Sequence, residues 1–258
     1  MTNRKIAQCK ICNKQASYIG KVDFNKSGND HFEGKRLFSP SSTYITYYRC
    51  NSCGFMFSKD FNNWKNCDFK EKIYNSEYIK ADPPFEFERP EYNSKIVYDY
   101  FSKGKENISL LDFGSGNSKF IYILNKLGFN CKGYDPFYEK LPLRKDEKFD
   151  IITCFEVVEH ATEQYELFDQ IFYHLKSDGV LLFSTLLQPD NIEDIGVNWW
   201  YVCPRNGHIS FHTPKSLDIT LKKYGYLLTC ITNEYHVAYK NKLTYALDKE
   251  IIENHRNK

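Results

Sequence analysis

From Ile108 to the carboxyl end, short apolar runs alternate with longer amphipathic stretches, and this alternation restricts the fold more than any other feature of the chain. "SLLDF" (109–113) reads as a buried strand. "NSKFIYILNKLG" reads as an amphipathic helix with Phe120, Ile121, Ile123, Leu124 and Leu127 in its apolar stripe and Gly128 as its stop. "NCKGYD", "KFDIITCFEVV" and "GVLLFSTLL" are further strands, and "TEQYELFDQIFYHLKSDG" is a helix with Tyr165, Phe168, Ile171, Phe172 and Leu175 on one face. "TPKSLDITLKKYGY" is a helix with Pro214 in its first turn, and "YLLTCITN" and "YHVAY" close the series as strands. Strands alternating with helices predict a parallel sheet covered on both faces. Such sheets bind ligands at the carboxyl ends of their strands.

The first hundred residues follow a different logic. "CKIC" (Cys9, Cys12) and "CNSCGF" (Cys50, Cys53) are two Cys-x-x-Cys pairs, the second followed directly by glycine. In such a knuckle the chain turns tightly so that backbone N–H groups point at the sulfurs, and glycine permits this at low steric cost. Four thiolates at this spacing predict a closed tetrahedral zinc site with a structural role, since no coordination position is left open for chemistry. Cys67, Cys131, Cys154, Cys203 and Cys230 are scattered singly and read as packing residues. The polar, turn-rich segment between the pairs, ending in "TYITYY", reads as a ribbon of short strands that zinc removal would unfold. Pro83, Pro84 and Pro90 exclude one continuous helix in the aromatic stretch that follows, leaving a connector, core or lid, and then a helix from about Tyr92 to Lys103. The expected division is a zinc-ribbon domain (1–60), a helical connector or lid (61–107) and a larger α/β domain (108–258).

Composition narrows the partners. With 258 residues, 41% of them hydrophobic, the chain can bury one substantial core and a small appended module. The balance of 35 basic against 33 acidic residues produces no strong field, which speaks against a nucleic-acid partner. The amino terminus lacks an apolar core of a signal peptide, and no run of about 18 apolar residues occurs, so neither export nor a membrane span is expected and the location reads as cytoplasmic. Oligomeric state is not legible.

The turn in "LLDFGSGNSKF" selects among ligands. It lacks the Gly-Lys-Ser/Thr close of a phosphate-cradling loop, and Lys119 stands where the dinucleotide fingerprint has its third glycine. What remains is Asp112, two positions before Gly114, and then Gly116. An acidic group there suits the ammonium of a methionine moiety, while the glycines let backbone approach the ligand closely. Asp135 in "GYDP" is placed to accept from both ribose hydroxyls, which suits an adenosine.

With these residues the chain resembles the class I S-adenosylmethionine-dependent methyltransferases from Ile108 onward. The resemblance rests on "LLDFGSGNS", "GYD", "FDIITCFEVVEH" and "LKSDGVLLFST". It implies a Rossmann-like sheet with helices on both faces, bound S-adenosylmethionine, and Phe155 and Glu156 facing cofactor and substrate. Two departures stand out: Ser118 replaces a third glycine, and the fourteen residues between Asp135 and Asp150 leave room only for a much reduced third strand. The cysteine pairs followed by "IYNSEYIKADPPFEFERPEYNS", with "WWYVCPRNGHISFHTPKSL" later, resemble zinc-ribbon methyltransferases of bacterial cell-surface carbohydrate metabolism. That resemblance implies a sugar acceptor, on a nucleotide-sugar or a capsular or other surface polysaccharide unit. Trp199 and Trp200 would offer ring faces for stacking.

Methyl transfer to an alcohol needs a group that removes a proton. "EVVEH" places Glu156, Glu159 and His160 at i, i+3 and i+4, on one face if a helix begins there. With His208 or His212 from "GHISFH", they could bind a divalent cation such as magnesium or manganese, resembling the magnesium site of methyltransferases acting on terminal RNA 2'-hydroxyls. A general-base role for His160 or His208, or a purely structural one, stays open beside it. His208, after Gly207 on a loop, is the better candidate, because His212 precedes a helix start where capping explains it. The expected function is transfer to a sugar hydroxyl; the alternatives are a sugar C-methyltransferase, an RNA methyltransferase using Lys10, Lys14, Lys21, Lys26, Lys35 and Arg36, and a non-catalytic zinc- and cofactor-binding scaffold.

Overall fold

The computed structural model describes residues 6–137 and 143–240. Its elements are β1 (Ile6–Gln8), β2 (Gln15–Asp23), α1 (Asn29–Glu33), β3 (Tyr44–Cys50), β4 (Met56–Ser58), α2 (Asn66–Lys72), α3 (Tyr78–Ala81), α4 (Glu88–Phe101), β5 (Ser109–Phe113), α5 (Lys119–Lys126), β6 (Asn130–Tyr134), β7 (Phe149–Phe155), α6 (Gln164–His174), β8 (Leu175–Ser184), α7 (Ile192–Ile195), β9 (Ser210–Phe211), α8 (Pro214–Lys222), β10 (Leu227–Cys230) and β11 (Tyr235–Tyr239). No helix among the described residues is long and apolar enough to cross a membrane.

The elements fall into two units, neither of them a contiguous block. One gathers the chain up to Pro83 with Glu159–Tyr165 and Leu186–Thr220; the other gathers Pro84–Val158, Glu166–Thr185 and the chain from Leu221 on. The first break falls after Pro83, inside the stretch 61–107 read from sequence as a connector. In the first unit the sheet runs β1-β2-β3-β4-β9, and the last pairing (Met56↔Phe211, Phe57↔Ser210) gives the ribbon's outer strand a partner more than 150 residues further along the chain. That partner satisfies backbone groups an isolated ribbon would leave to water. The core beneath contains Cys9, Ile11, Ala16, Tyr48, Cys50, Cys53, Phe55 and Phe57.

In the second unit the sheet runs β10-β11-β8-β7-β5-β6. β6, β5, β7 and β8 are parallel, as the alternation predicts, whereas β11 runs antiparallel to β8, and β10 antiparallel to β11. The mostly apolar run of β7 is buried along its full length, Asp150 and Thr153 included, the pattern of a central parallel strand. β8 begins at Leu175 rather than Gly179, and α4 begins at Glu88 rather than Tyr92, because Pro90 falls in its first turn, where no N–H is needed. α4 buries Val97, Tyr100 and Phe101 in a core shared with Leu110, Ile151, Val180, Leu182 and Val237. The reduced third strand expected between Asp135 and Asp150 falls partly on residues 138–142, outside those described, as does the chain beyond 240; among the described residues no strand lies there.

Candidate functional site

The carboxyl edge of the second unit's sheet carries the glycine turn. Asp112 and Phe113 of β5 lie opposite Gly133 and Tyr134 of β6, so Asp112 and Asp135 come to the same edge on neighbouring strands, both buried. Gly114 has φ +87° and Gly116 +46°, conformations that L side chains rarely adopt. An ideal Cβ on Gly114 would stand 2.3 Å from Val157 Cγ2, and one on Gly116 3.3 Å from the Phe85 ring. The N–H groups of Gly114 and Ser115 donate to the Tyr134 carbonyl at 2.7 and 3.1 Å, and those of Gly116 and Phe137 donate to the two oxygens of Asp135, each at 2.8 Å. Thr153 Oγ1 donates to Asp112 Oδ1 at 2.8 Å. Ser118, in place of a third glycine, itself takes a left-handed conformation (φ +67°). Asp112, Gly114, Gly116 and Asp135 are thus brought together around one turn.

Phe155 and Glu156, just beyond, part company. Phe155 is buried, edge-on to Phe120 and Tyr235 at 5.6 and 5.9 Å, and fixes the strand end as a core residue. Glu156 is left-handed (φ +53°); its N–H donates to Ser184 Oγ and its Oε1 accepts from the same hydroxyl, both at 2.9 Å. The helix that would align Glu156 with Glu159 and His160 is only a 3-10 turn, Val158–His160, and Glu156 precedes it with a reversed backbone. The three-residue face predicted from spacing therefore does not form, and Glu156 stands outside the ligand group described next.

In the first unit, ligand atoms of Glu159, His160 and His208 lie within 4.8 Å of one another. Glu159 is fully buried, and its Oε1 accepts from Tyr201 Oη at 2.6 Å. Its carbonyl accepts from Ile209 N–H at 2.9 Å, anchoring the loop that carries His208. His208 Nδ1 lies 3.0 Å from the Tyr201 carbonyl and 3.2 Å from Cys203 Sγ. A carbonyl can only accept, so Nδ1 carries the proton and Nε2 is the basic nitrogen. His160 Nδ1 meets Tyr74 Oη at 3.1 Å, and the two imidazoles stand edge-to-face at 4.9 Å. Gly207, at φ +88°, is required here: an ideal Cβ would come within 2.9 Å of His160 Nδ1. One carboxylate and two imidazoles, each with an outer partner, fit a divalent cation's donor set and equally a proton-accepting cluster. His212 is spent otherwise, its nitrogens bonded to Ser216 Oγ and Gln164 Oε1 at 3.0 and 3.1 Å. Sequence reasoning missed Tyr74 and Tyr201, which no local pattern marks; Gly207 was noted only as the loop residue before the preferred histidine.

The four paired cysteines form the second ligand group. Sγ separations are 3.6 Å (Cys9–Cys53), 3.4 Å (Cys12–Cys50) and 3.5 Å (Cys12–Cys53), close to the roughly 3.8 Å edge of a tetrahedron with ~2.3 Å zinc–sulfur bonds. Ile11 N–H points at Cys9 Sγ, and Ser52 and Cys53 N–H at Cys50 Sγ, each at 3.4 Å, with Gly54 at φ +75° closing the second knuckle. The hydrogen bond from Cys53 holds the Cys9 thiol down to about 5, against the upward push of burial. The donor set fits a structural zinc ion.

A mostly parallel sheet carrying an acid–Gly-x-Gly turn and an acid at the next strand end is an arrangement suited to a nucleoside ligand. The methyltransferase domain family matches residues 85–231, more than half of the chain, and the chain belongs to that family. Two curated relatives are named ubiquinone biosynthesis O-methyltransferase: one from Rickettsia akari (strain Hartford), 20% identical over 55% of this chain and 62% of its own, and one from Actinobacillus pleuropneumoniae serotype 5b (strain L20), 48% identical over 40 residues, 16% of this chain and 17% of its own. The chain therefore spans less than two thirds of either. Among solved structures, Burkholderia thailandensis 1,6-didemethyltoxoflavin-N1-methyltransferase, with 1,6-didemethyltoxoflavin and S-adenosylhomocysteine bound, superposes with a TM-score of 0.50 at 12% identity, covering 80% of this chain and 98% of that one. At that identity what is shared is the fold.

Proposed function

We propose that the protein transfers the methyl group of S-adenosylmethionine to a hydroxyl oxygen of a sugar, carried on a nucleotide or a surface polysaccharide unit, and that Cys9, Cys12, Cys50 and Cys53 hold a structural zinc ion. The observation carrying this reading is the Glu159–His160–His208 cluster, which begins in sequence four residues after the end of β7 at Phe155. Bound S-adenosylmethionine supplies an electrophilic methyl on a sulfonium sulfur, for which Asp112, Asp135 and the backbone of Gly114 and Gly116 form the cradle. A sugar hydroxyl is a weak acid, so the chain must take its proton as the new bond forms. Nε2 of His208 accepts that proton, with Nδ1–H held by the Tyr201 carbonyl and Glu159 close enough to stabilise the imidazolium. A divalent cation in the same cluster would lower the pKa of a nearby hydroxyl. The "O-methyltransferase" in the curated relatives' names supports oxygen over carbon.

The test is incubation with labelled S-adenosylmethionine and a panel of nucleotide-sugars, with chelator and with added magnesium or manganese. Transfer to at least one sugar is expected, reduced about 10²–10⁴-fold in His208→Ala. Dependence on added cation would assign the cluster to metal binding. Unchanged transfer in both His160→Ala and His208→Ala would overturn the catalytic assignment.

A further inference from the structure

At the end of β8, Ser184 lies between two strands, opposite Phe155 of β7 on one side and Tyr235 of β11 on the other. One residue beyond each partner stands a glutamate: Glu156 after β7, and Glu234 before β11. Two strand spacings put their backbones roughly 10 Å apart across β8, within converging reach of two glutamate side chains. Both are anchored to the same strand end, Glu156 through Ser184 Oγ and Glu234 through its carbonyl, which accepts from Thr185 N–H at 3.0 Å. The left-handed backbone of Glu156, at this partly buried strand end, costs free energy that a purely structural residue would not need to retain. Its neighbour Val157 packs against Gly114 in the cofactor turn. Thr185 is fully buried, and its hydroxyl has no partner among the described residues.

We propose that Glu234 and Glu156 form a carboxylate pair that reads the charge of the bound cofactor, favouring the cationic sulfonium of S-adenosylmethionine over the neutral thioether of S-adenosylhomocysteine. Glu234 is the positioning member, acting through Glu156. Burial, with the Glu156 charge second, raises the Glu234 carboxyl to about 7, and Arg89 on α4 works against the shift. Tyr235 on β11 also faces it, hydrogen-bonded to its carboxyl and itself pushed upward by burial and by these same carboxylates, and Tyr92 on α4 packs against the Tyr235 ring. Tyr235 Oη donates to the buried Asn93 at 2.7 Å. Near neutral pH the Glu234 carboxyl therefore gives up its proton, adding a negative charge beside Glu156 at the end of β8.

Calorimetric titration of the full chain with each of the two molecules, from pH 5.5 to 8.5, reads this without an acceptor. Their common amino-acid and adenosine groups cancel in the ratio of dissociation constants. The preference for S-adenosylmethionine should rise with pH by several-fold, up to about tenfold for one charge at this range. In Glu234→Gln the ratio should stay flat at the low-pH value. Should that variant fail to fold, Glu156→Gln must lower the preference at pH 8.5. A pH-independent ratio in the native protein, a rise surviving Glu234→Gln, or an unaltered ratio in Glu156→Gln would overturn the proposal. Binding of neither molecule would instead sink the cofactor assignment itself.

Discussion

His236 offers a test of burial energetics that needs no substrate. It lies in β11 opposite Phe183, fully buried, with Nε2 3.0 Å from the Thr185 carbonyl. The carbonyl fixes the proton on Nε2, and Nδ1 has no partner among the described residues. Burial lowers its pKa from 6.5 to about 4, with the Thr185 hydrogen bond working the other way. Between those values the unfolded chain binds a proton that the folded chain refuses, so stability falls as pH drops from 6.5 towards 4 and is unaffected above 6.5. At ~1.4 kcal/mol per pKa unit, the loss amounts to about 3 kcal/mol. Glu234, raised from 4.5 to about 7, has the opposite slope: its stabilisation is present below 4.5 and is lost as pH rises through 7, with a smaller amplitude because it is partly exposed. The two slopes oppose each other where their windows overlap, and the Glu234 contribution partly masks that of His236 in the native protein. Urea unfolding at pH 7, 6, 5 and 4 of the native protein and of His236→Gln, which retains a donor for Thr185, separates them. The stability difference between the two proteins should shift by about 3 kcal/mol in the variant's favour across that range. A shift below about 1 kcal/mol would refute the burial argument.

Three further outcomes are expected. Gly114→Ala forces a Cβ to within 2.3 Å of Val157 at a positive φ, and should cost about 1–3 kcal/mol of stability and weaken S-adenosylmethionine binding more than tenfold; native melting and affinity would contradict the cradle. Asp135→Ala removes the proposed ribose acceptor and releases the N–H groups of Gly116 and Phe137, and should abolish heat on titration with S-adenosylmethionine; normal affinity would refute the assignment. Elemental analysis should give one zinc per chain and none in Cys50→Ala, with loss of β2–β3 amide protection on chelation; a metal-free chain with protected strands would refute the zinc site.

Much of the second unit was legible locally. β5, β6 and β7, helix α5 and the glycine turn follow from periodicity within a dozen residues, and the two cysteine knuckles from spacing within four. Antiparallel β10–β11 was not, since apolar alternation gives a strand but no direction. Nor was the start of α4, where Pro90 was read as a breaker although the first turn tolerates it.

The amino-acid sequence alone determined where apolar runs and knuckles must form, because hydrophobic period and thiolate spacing act over neighbours in the chain. Only the tertiary structure decided that β9 completes the ribbon's sheet, that His208 joins Glu159 and His160 while Glu156 turns to Ser184, and that Glu156 and Glu234 flank the same end of β8. These pairings join residues up to about 150 positions apart. They are settled by strand register and by the reversed backbone at Glu156, quantities that no local pattern encodes.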